Sequence, residues 1–201
     1  MSDALSGRGP SIALLETSSI ARGIEATDAM MKKAAVDLLM TTIVPRGKYL
    51  TMVGGAVADV EQALRAGLDM AGATVVDHFL IQNVHPQLPA AIKGRVKVDR
   101  VEAIGLIETR EVASSIYAGD AAAKAAAVIL IEARNQPGAK GLVVLTGDVG
   151  AVRAAVAAGV ATVKDGQLIA EVVIPRAHDA LLKSLTVTPR TSADLYTGDW
   201  R

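Results

Sequence analysis

The chain has 201 residues, which is longer than one average domain and enough for two small ones. Lys plus Arg balances Asp plus Glu at 21 each, which argues against a general nucleic-acid binder, because such proteins carry excess positive charge. The absence of cysteine excludes disulfides, thiolate metal sites and thiol nucleophiles.

The predicted elements alternate between strands and helices along the first half of the chain. Ser18 or Ser19 is placed to cap the first helix, and a turn containing Pro45 and Gly47 separates two strands. Apolar periodicity of 2 or 3.6 residues distinguishes the two kinds of element. In chain order they are a strand at 11–16, a helix at 20–33, strands at 36–44 and 48–53, a helix at 57–71 and a strand at 74–84.

The second half of the chain repeats the first. Residues 12–67 align without a gap to 104–159, and 23 of the 56 positions are identical, where chance would give roughly one in ten. Asp148 is placed to cap the second helix of this copy. The element order predicts two α+β domains with the ferredoxin-like, or split βαβ, pattern. Helices on one face of such a sheet leave the other face to be covered, often by a partner subunit.

The boundaries of the copies follow from the alignment. Beyond Gly67 a shift of one residue brings His85 onto His178. We therefore expect a first domain at 11–93, a second at 99–185, and flexible termini at 1–10 and 186–201. The first ten residues have no apolar signal core, and no apolar run approaches the roughly 20 residues of a membrane span. We expect a soluble cytoplasmic protein.

Several short motifs, present in both copies and in a fixed order, resemble the bacterial microcompartment shell domain in its fused two-domain, unpermuted form. The likeness is greatest to the trimer-forming tandem class of propanediol-utilising compartments. The motifs are Leu15-Glu16-Thr17, Asp28-Ala29-Met30 leading to Lys32, residues 35–39, residues 147–152 and residues 173–178.

The resemblance implies a structural protein and not an enzyme. It implies a homotrimer whose six domains form a pseudohexagonal tile, and tiles that meet other shell proteins edge to edge around sequestered enzymes in the bacterial cytoplasm. It also implies a central pore for small metabolites. No contact with nucleic acid or membrane is expected.

The resemblance identifies three tile-edge residues. Lys32 and Lys124, at the same position of the two first helices, match the family's edge lysine, although a lysine on a solvated helix face explains each of them alone. Arg176 matches the edge arginine, whose planar fork can donate to several carbonyls. The first copy has Asn83 there, so only half of the edges would carry the arginine.

The resemblance implies that the turn between the second and third strands of each copy is the pore loop. Its Pro and Gly residues would let backbones converge at a symmetry axis. An ordinary hairpin turn explains them equally well. Three copies of Arg46 and Lys48 would form a positive ring that favours anions, unless these side chains point along the tile surface. The loop residues are Pro45, Arg46, Gly47 and Lys48 in the first copy and Pro137, Gly138, Ala139 and Lys140 in the second.

No cofactor or metal is predicted. In the related class a cysteine of the first loop binds an iron–sulfur cluster, but here Pro45 stands at about that position and the chain has no cysteine. His85 and His178 are interpreted as helix- or turn-capping residues in preference to metal ligands. Glu16 and Glu108 have identical contexts, which indicates a role in the fold and not an acid–base pair.

Two other functions compete with the shell. A ferredoxin-like regulator would bind a metabolite in the cleft between the copies. An enzyme on the same duplicated fold would carry a cluster of polar residues present in one copy only, and the alignment reveals no such cluster.

Overall fold

The structure, a computed structural model, describes residues 11–98, 102–178 and 181. Each half contains one four-stranded sheet with two long helices, and a third, short helix follows the first sheet. The first copy comprises β1 (Ser11–Thr17), α1 (Ile20–Lys33), β2 (Asp37–Val44), β3 (Lys48–Gly55), α2 (Val57–Ala71), β4 (Val75–Ile81) and α3 (Leu88–Lys93). The second comprises β5 (Ala103–Thr109), α4 (Val112–Ala125), β6 (Ile129–Gln136), β7 (Lys140–Gly147), α5 (Val149–Val160) and β8 (Leu168–Pro175).

The two sheets have the same topology. The strand order is β2-β3-β1-β4 in the first and β6-β7-β5-β8 in the second, and every neighbouring pair is antiparallel. This order, with both helical crossovers passing over a strand that lies between, is the ferredoxin-like arrangement. The predicted α+β class with two tandem domains is confirmed.

Local sequence explains where the helices begin. The hydroxyl of Ser19 accepts a hydrogen bond from the N–H of Arg22 at the start of α1, at 3.4 Å. The carboxylate of Asp148 accepts one from the N–H of Gly150 at the start of α5, at 2.8 Å. Both residues satisfy a first-turn amide that has no partner within its helix, as the sequence predicted for them.

The segment after β4 differs from the prediction. The strand ends at Ile81 and not at Val84, because Asn83 adopts a left-handed conformation with φ 51° that takes the chain out of the sheet. The helix α3 follows, with Pro89 in its first turn. Six residues are too few to carry the helical periodicity from which the longer helices were predicted.

The two faces of β1 pack against different halves of the chain. Ala13 and Leu15 lie in a core with residues of α1 and α2. Ile12 and Leu14, on the opposite face, belong to a larger core that includes Ile116 of α4. The helix-free face of the first sheet is therefore covered by the second copy.

Candidate functional site

The junction between the copies joins two unlike surfaces. Helix α4 packs across β4 and β1 of the first copy, and α3 packs against β6 of the second. The rings of Phe79 and Tyr117 stack with centroids 6.1 Å apart. Beyond α3, the N–H of Val96 donates to the carbonyl of Ile131 at 2.8 Å. The first copy thus contributes its last strand and the following segment, while the second contributes its first helix and second strand.

A buried ion cluster lies at the centre of this junction. Glu16 is fully buried, and one carboxylate oxygen accepts a hydrogen bond from the ammonium of Lys48 at 3.0 Å. The other accepts from the N–H groups of Val112 and Ala113, at 3.0 and 3.2 Å, which are the first two residues of α4. Lys48 also pairs with Glu111, which precedes that helix. Glu16 therefore serves as the acceptor for a helix start in the other copy.

The environment of this cluster shifts two pKa values. Burial raises the pKa of Glu16 to about 7, although the charge and hydrogen bond of Lys48 and the N–H of Ala113 oppose the shift. Burial also disfavours the charged form of Lys48, but its hydrogen bonds and attraction to Glu111 and Glu16 outweigh this and raise its pKa. Two carboxylates and one ammonium share this site, in which Glu16 is fully buried and Glu111 is 16% exposed.

Two further polar clusters at the junction occur in one copy only. Asp77, which is buried, accepts hydrogen bonds from the hydroxyl of Ser114 at 2.7 Å and from the ammonium of Lys164 at 2.5 Å. Burial lowers the pKa of the adjacent His78; the charge of Lys164 lowers it further and that of Asp77 opposes the shift. Glu132, also fully buried, pairs with Arg95 at 2.9 Å, with Arg134 at 3.5 Å, and with the amide of Gln136.

The expectation that no polar cluster is specific to one copy is therefore wrong. The alignment contains the signal, since Glu132 stands opposite Met40 and Asp77 opposite Ala170. These acidic residues are already bonded to cations and donors across the junction, so they hold the copies together and are not free to act on a substrate.

The two expected pore loops use left-handed backbone at the same two positions. In the first loop these are Arg46 and Gly47, with φ of 70° and 71°; in the second they are Gly138 and Ala139, with φ of 87° and 59°. Pro45, Arg46 and Gly47 are exposed, as are Pro137, Gly138 and Lys140, whereas Ala139 is buried.

The expectation that Lys48 contributes to a positive ring around the pore is wrong. Its side chain is only 7% exposed and its ammonium is turned into the cluster with Glu16 and Glu111, so it is not available to line an opening. The equivalent Lys140 is 47% exposed and pairs with Glu108 at 2.7 Å. In the first loop, only Arg46 presents an exposed cation.

The expected edge lysines make the same local ion pair in each copy. The ammonium of Lys32 lies 2.6 Å from the carboxylate of Asp28, and that of Lys124 lies 2.5 Å from Asp120. Lys124 also donates to the carbonyl of Gln82, at 3.2 Å, and so contacts the first copy. The edge role of both lysines remains a prediction.

Arg176 occupies the backbone position of Asn83 in the other copy. It is exposed, has a φ of 53° against 51° for Asn83, and its N–H donates to the carbonyl of Glu102 at 3.1 Å. The equivalence that the alignment proposed is thus one of conformation as well as sequence. Its contact with another tile remains a prediction.

The histidines are placed for turn formation. Nδ1 of His85 accepts a hydrogen bond from the N–H of Gln87 at 3.4 Å, in agreement with the turn-capping interpretation. The carbonyl of His85 accepts from Leu88, and that of His178 accepts from Leu181, each at 2.9 Å.

The described residues offer neither a metal site nor a membrane-spanning helix. In residues 11–98, 102–178 and 181 no group of three or more His, Cys, Asp or Glu side chains is arranged to hold a metal ion. An iron–sulfur cluster does not fit the first loop, because Pro45 and its neighbours offer no thiolate and the chain has no cysteine. None of the described helices is long and apolar enough to span a membrane.

Comparison with known proteins relates both copies to one domain. The sequence profile of the BMC domain matches residues 11–84 and again residues 103–177. The chain belongs to the BMC domain family. It is 40% identical over 177 residues to the bacterial microcompartment shell protein PduT of Citrobacter freundii, covering 87% of this chain and 96% of that protein. The shorter shell protein PduA of the same organism is 40% identical over 85 residues, 42% of this chain.

A solved structure agrees with this assignment to the BMC domain family. The crystal structure of a microcompartments protein from Desulfitobacterium hafniense DCB is 46% identical and superposes with a TM-score of 0.76, covering 87% of this chain and 99% of that one. The resemblance inferred from the motifs is confirmed. The chain is a structural shell protein with tandem BMC domains, and not an enzyme.

Proposed function

We propose that three copies of this chain close into a ring of six BMC domains, and that these rings tile into the facets of a microcompartment shell in the bacterial cytoplasm. The observation that carries the proposal is the asymmetry of the junction. It joins two unlike surfaces inside the chain, and the equivalent of each recurs, uncovered, on the outer side of the other copy.

The first uncovered surface is formed by α1 and β2. Ile24 is 53% exposed, whereas its equivalent in α4, Ile116, is 1% exposed inside the junction. Leu39 is 51% exposed, and its equivalent Ile131 is 1% exposed. Large apolar side chains left exposed at equivalents of buried junction residues support an interaction site here.

The complementary surface is formed by β8 and the segment after it. Val172 is 42% exposed, whereas its equivalent Phe79 is 6% exposed. Leu181 is exposed and its equivalent Leu88 is fully buried. Because Ile116, Phe79 and Leu88 pack in one core inside the chain, the outer surface of one chain would fit the opposite outer surface of the next.

Contacts between unlike surfaces produce either a closed ring or an open helix. The tandem family to which the sequence is similar supports closure at three chains, with a mass of about 62 kDa for three chains of 20.7 kDa. Alternating copies around the axis would give the ring pseudo-sixfold geometry.

The loops centred on Arg46 and Gly138 would then alternate around the central pore. Three exposed arginines would form the positive ring, without help from the buried Lys48, and small anionic metabolites would be favoured over cations. Around the rim, Lys32, Lys124 and Arg176 would contact neighbouring tiles and other shell proteins.

Light scattering beside electron microscopy of concentrated protein tests the proposal. We expect particles of about 62 kDa that form sheets or tubes as the concentration rises. Replacing Lys32 and Lys124 together by Ala should abolish sheets without changing the ring mass, whereas the matched control Lys33→Ala, next to Lys32 and also exposed, should leave sheets intact. Discrete particles under all salt conditions, or a mass that changes with an added metabolite, would favour the regulator instead.

A further inference from the structure

We infer that Glu108 of one chain accepts hydrogen bonds from the first two backbone amides of α1 in the next chain, and that this contact, together with Lys140, forms the polar centre of each junction between chains. The inference rests on the proposed ring and specifies the residues that close it. The occupant of the site is a second copy of this chain.

The contact proposed between chains follows the one that Glu16 makes at the inner junction, between the two copies of one chain. There, Glu16 bonds the amides of Val112 and Ala113 through one oxygen and Lys48 through the other. The contact joins side chains of one copy to the helix start of the other, so it belongs to the interface and not to the fold of either domain.

Every participant has an equivalent on the outer surfaces, 92 residues away in the aligned chain. The carboxylate of Glu108 already pairs with the ammonium of Lys140 at 2.7 Å, as that of Glu16 does with Lys48. The equivalents of Val112 and Ala113 are Ile20 and Ala21, which begin α1. The Glu108–Lys140 pair therefore corresponds to the Glu16–Lys48 pair, and the start of α1 corresponds to the start of α4.

These outer groups lack the cover that their inner equivalents have. Glu108 and Lys140 are 34% and 47% exposed, compared with 0% and 7% for Glu16 and Lys48. In the part of the chain that the structure describes, no side chain accepts a hydrogen bond from the amides of Ile20 or Ala21. Amides in the first turn of a helix have no intrahelical acceptor, so a carboxylate from the next chain would satisfy them.

One residue makes the outer Glu–Lys cluster electrostatically different from the inner one. Glu111, the second carboxylate of the inner cluster, is replaced by Ser19 in the outer one. The inner cluster holds two carboxylates for one ammonium, whereas the outer cluster would hold one of each and a hydroxyl. The outer cluster would therefore carry no net charge, and Lys140 would have one acidic partner where Lys48 has two.

Substitution of Glu108 tests the proposed contact between chains directly. In a single chain its exposed pair with Lys140 contributes little to stability, so Glu108→Ala should fold normally, as circular dichroism would verify. We expect the concentration at which rings dissociate, measured by sedimentation, to rise about tenfold or more, because two backbone donors lose a charged acceptor. Hydrogen exchange at the first turn of α1 should accelerate, and Glu108→Gln should be intermediate.

The matched control is Glu61→Ala, which removes another exposed pair of opposite charges, with Arg65 on α2, and should change neither the dissociation concentration nor the exchange at α1. If the unmodified chain forms no ring, the proposed function itself fails. If it forms rings that Glu108→Ala and Glu108→Gln leave unchanged in dissociation and in exchange at α1, the ring stands and the role of Glu108 is wrong.

A double-mutant cycle tests the electrostatic difference separately. Ser19→Glu recreates the inner cluster at the outer junction and should lower the dissociation concentration several-fold, since the new carboxylate pairs with Lys140 of the neighbouring chain. In a Lys140→Ala background this gain should vanish. If Ser19→Glu lowers the dissociation concentration equally in the unmodified chain and in Lys140→Ala, Lys140 does not contact residue 19 of the neighbouring chain.

Discussion

Helices α1 and α4 occupy the same place in the two copies, yet α4 has ten buried residues and α1 has four. The difference lies in the surroundings and not in the fold, since α4 is covered by the first copy. The sequence has adapted accordingly. Arg22 and Glu25, which form an exposed pair, stand where α4 has the buried Ser114 and the stacked Tyr117. The exposed helix therefore carries charged side chains at positions where the covered helix carries a hydroxyl and an aromatic ring.

Inside each domain, a change in side-chain size on the first helix is matched by an opposite change on the neighbouring strand. A Cβ atom on Gly23 of α1 would lie 2.6 Å from Cδ1 of Tyr49 on β3. In the other copy the helix carries Ser115 and the strand carries Gly141, where a Cβ atom would lie 2.2 Å from the serine hydroxyl. The bulky and small partners have exchanged elements, so the space between helix and strand is filled once in each copy.

The largest expected effect comes from truncating the equivalent isoleucines of α4 and α1. Ile116→Ala should destabilise the single chain by about 2–5 kcal/mol, because it leaves a cavity in the junction. Ile24→Ala should change the stability of the dissociated chain by less than about 0.5 kcal/mol, but should weaken the ring. Urea unfolding at low protein concentration, with sedimentation alongside, separates the two effects. Equal losses of stability would contradict the inner–outer distinction.

A smaller effect is expected from the exchanged pair. Gly23→Ser should destabilise the chain by about 1–3 kcal/mol, since the added side chain meets Tyr49 and the hydroxyl of Thr17. Tyr49→Gly should also destabilise it, but the double variant should cost less than the sum by about 1 kcal/mol or more. Thermal or urea unfolding of the four proteins measures the coupling. Strict additivity would mean that the two positions do not share one space.

A pH-dependent effect is expected from Glu16, which is buried at the inner junction of the single chain. The pKa of Glu16 is raised from 4.5 to about 7, so the folded chain binds this proton more tightly than the unfolded chain does. The resulting stability is complete below about pH 4.5 and is lost as the pH rises towards 7. Comparison with Glu16→Gln isolates this slope, because the lowered pKa of His78 contributes equally to both proteins.

In that comparison, the unfolding free energy of the unmodified chain should fall relative to that of Glu16→Gln between pH 4.5 and 7. The raised pKa of Lys48 affects stability only at a much higher pH. Parallel profiles across this window would show that Glu16 is ionised throughout, and that the amides of α4 and Lys48 outweigh its burial.

The repeat made most of the fold predictable from sequence. Strand and helix periods placed the four strands and two long helices of each copy, and Ser19 and Asp148 marked two helix starts. The burial of Lys48 was not predictable, because its partner Glu111 is 63 residues away and meets it only when the copies pack. A charged residue in a turn is normally solvated, and only the position of α4 makes this one an exception.

The central claim is that chains join one another as the two copies join within a chain. A crystal structure of the assembled protein tests it through the distance from the carboxylate of Glu108 to the amides of Ile20 and Ala21 in the neighbouring chain. We expect hydrogen bonds like those that Glu16 accepts, at 3.0 and 3.2 Å. An assembly in which α1 and β2 face solvent, or in which α1 packs against α1 of another chain, would contradict it.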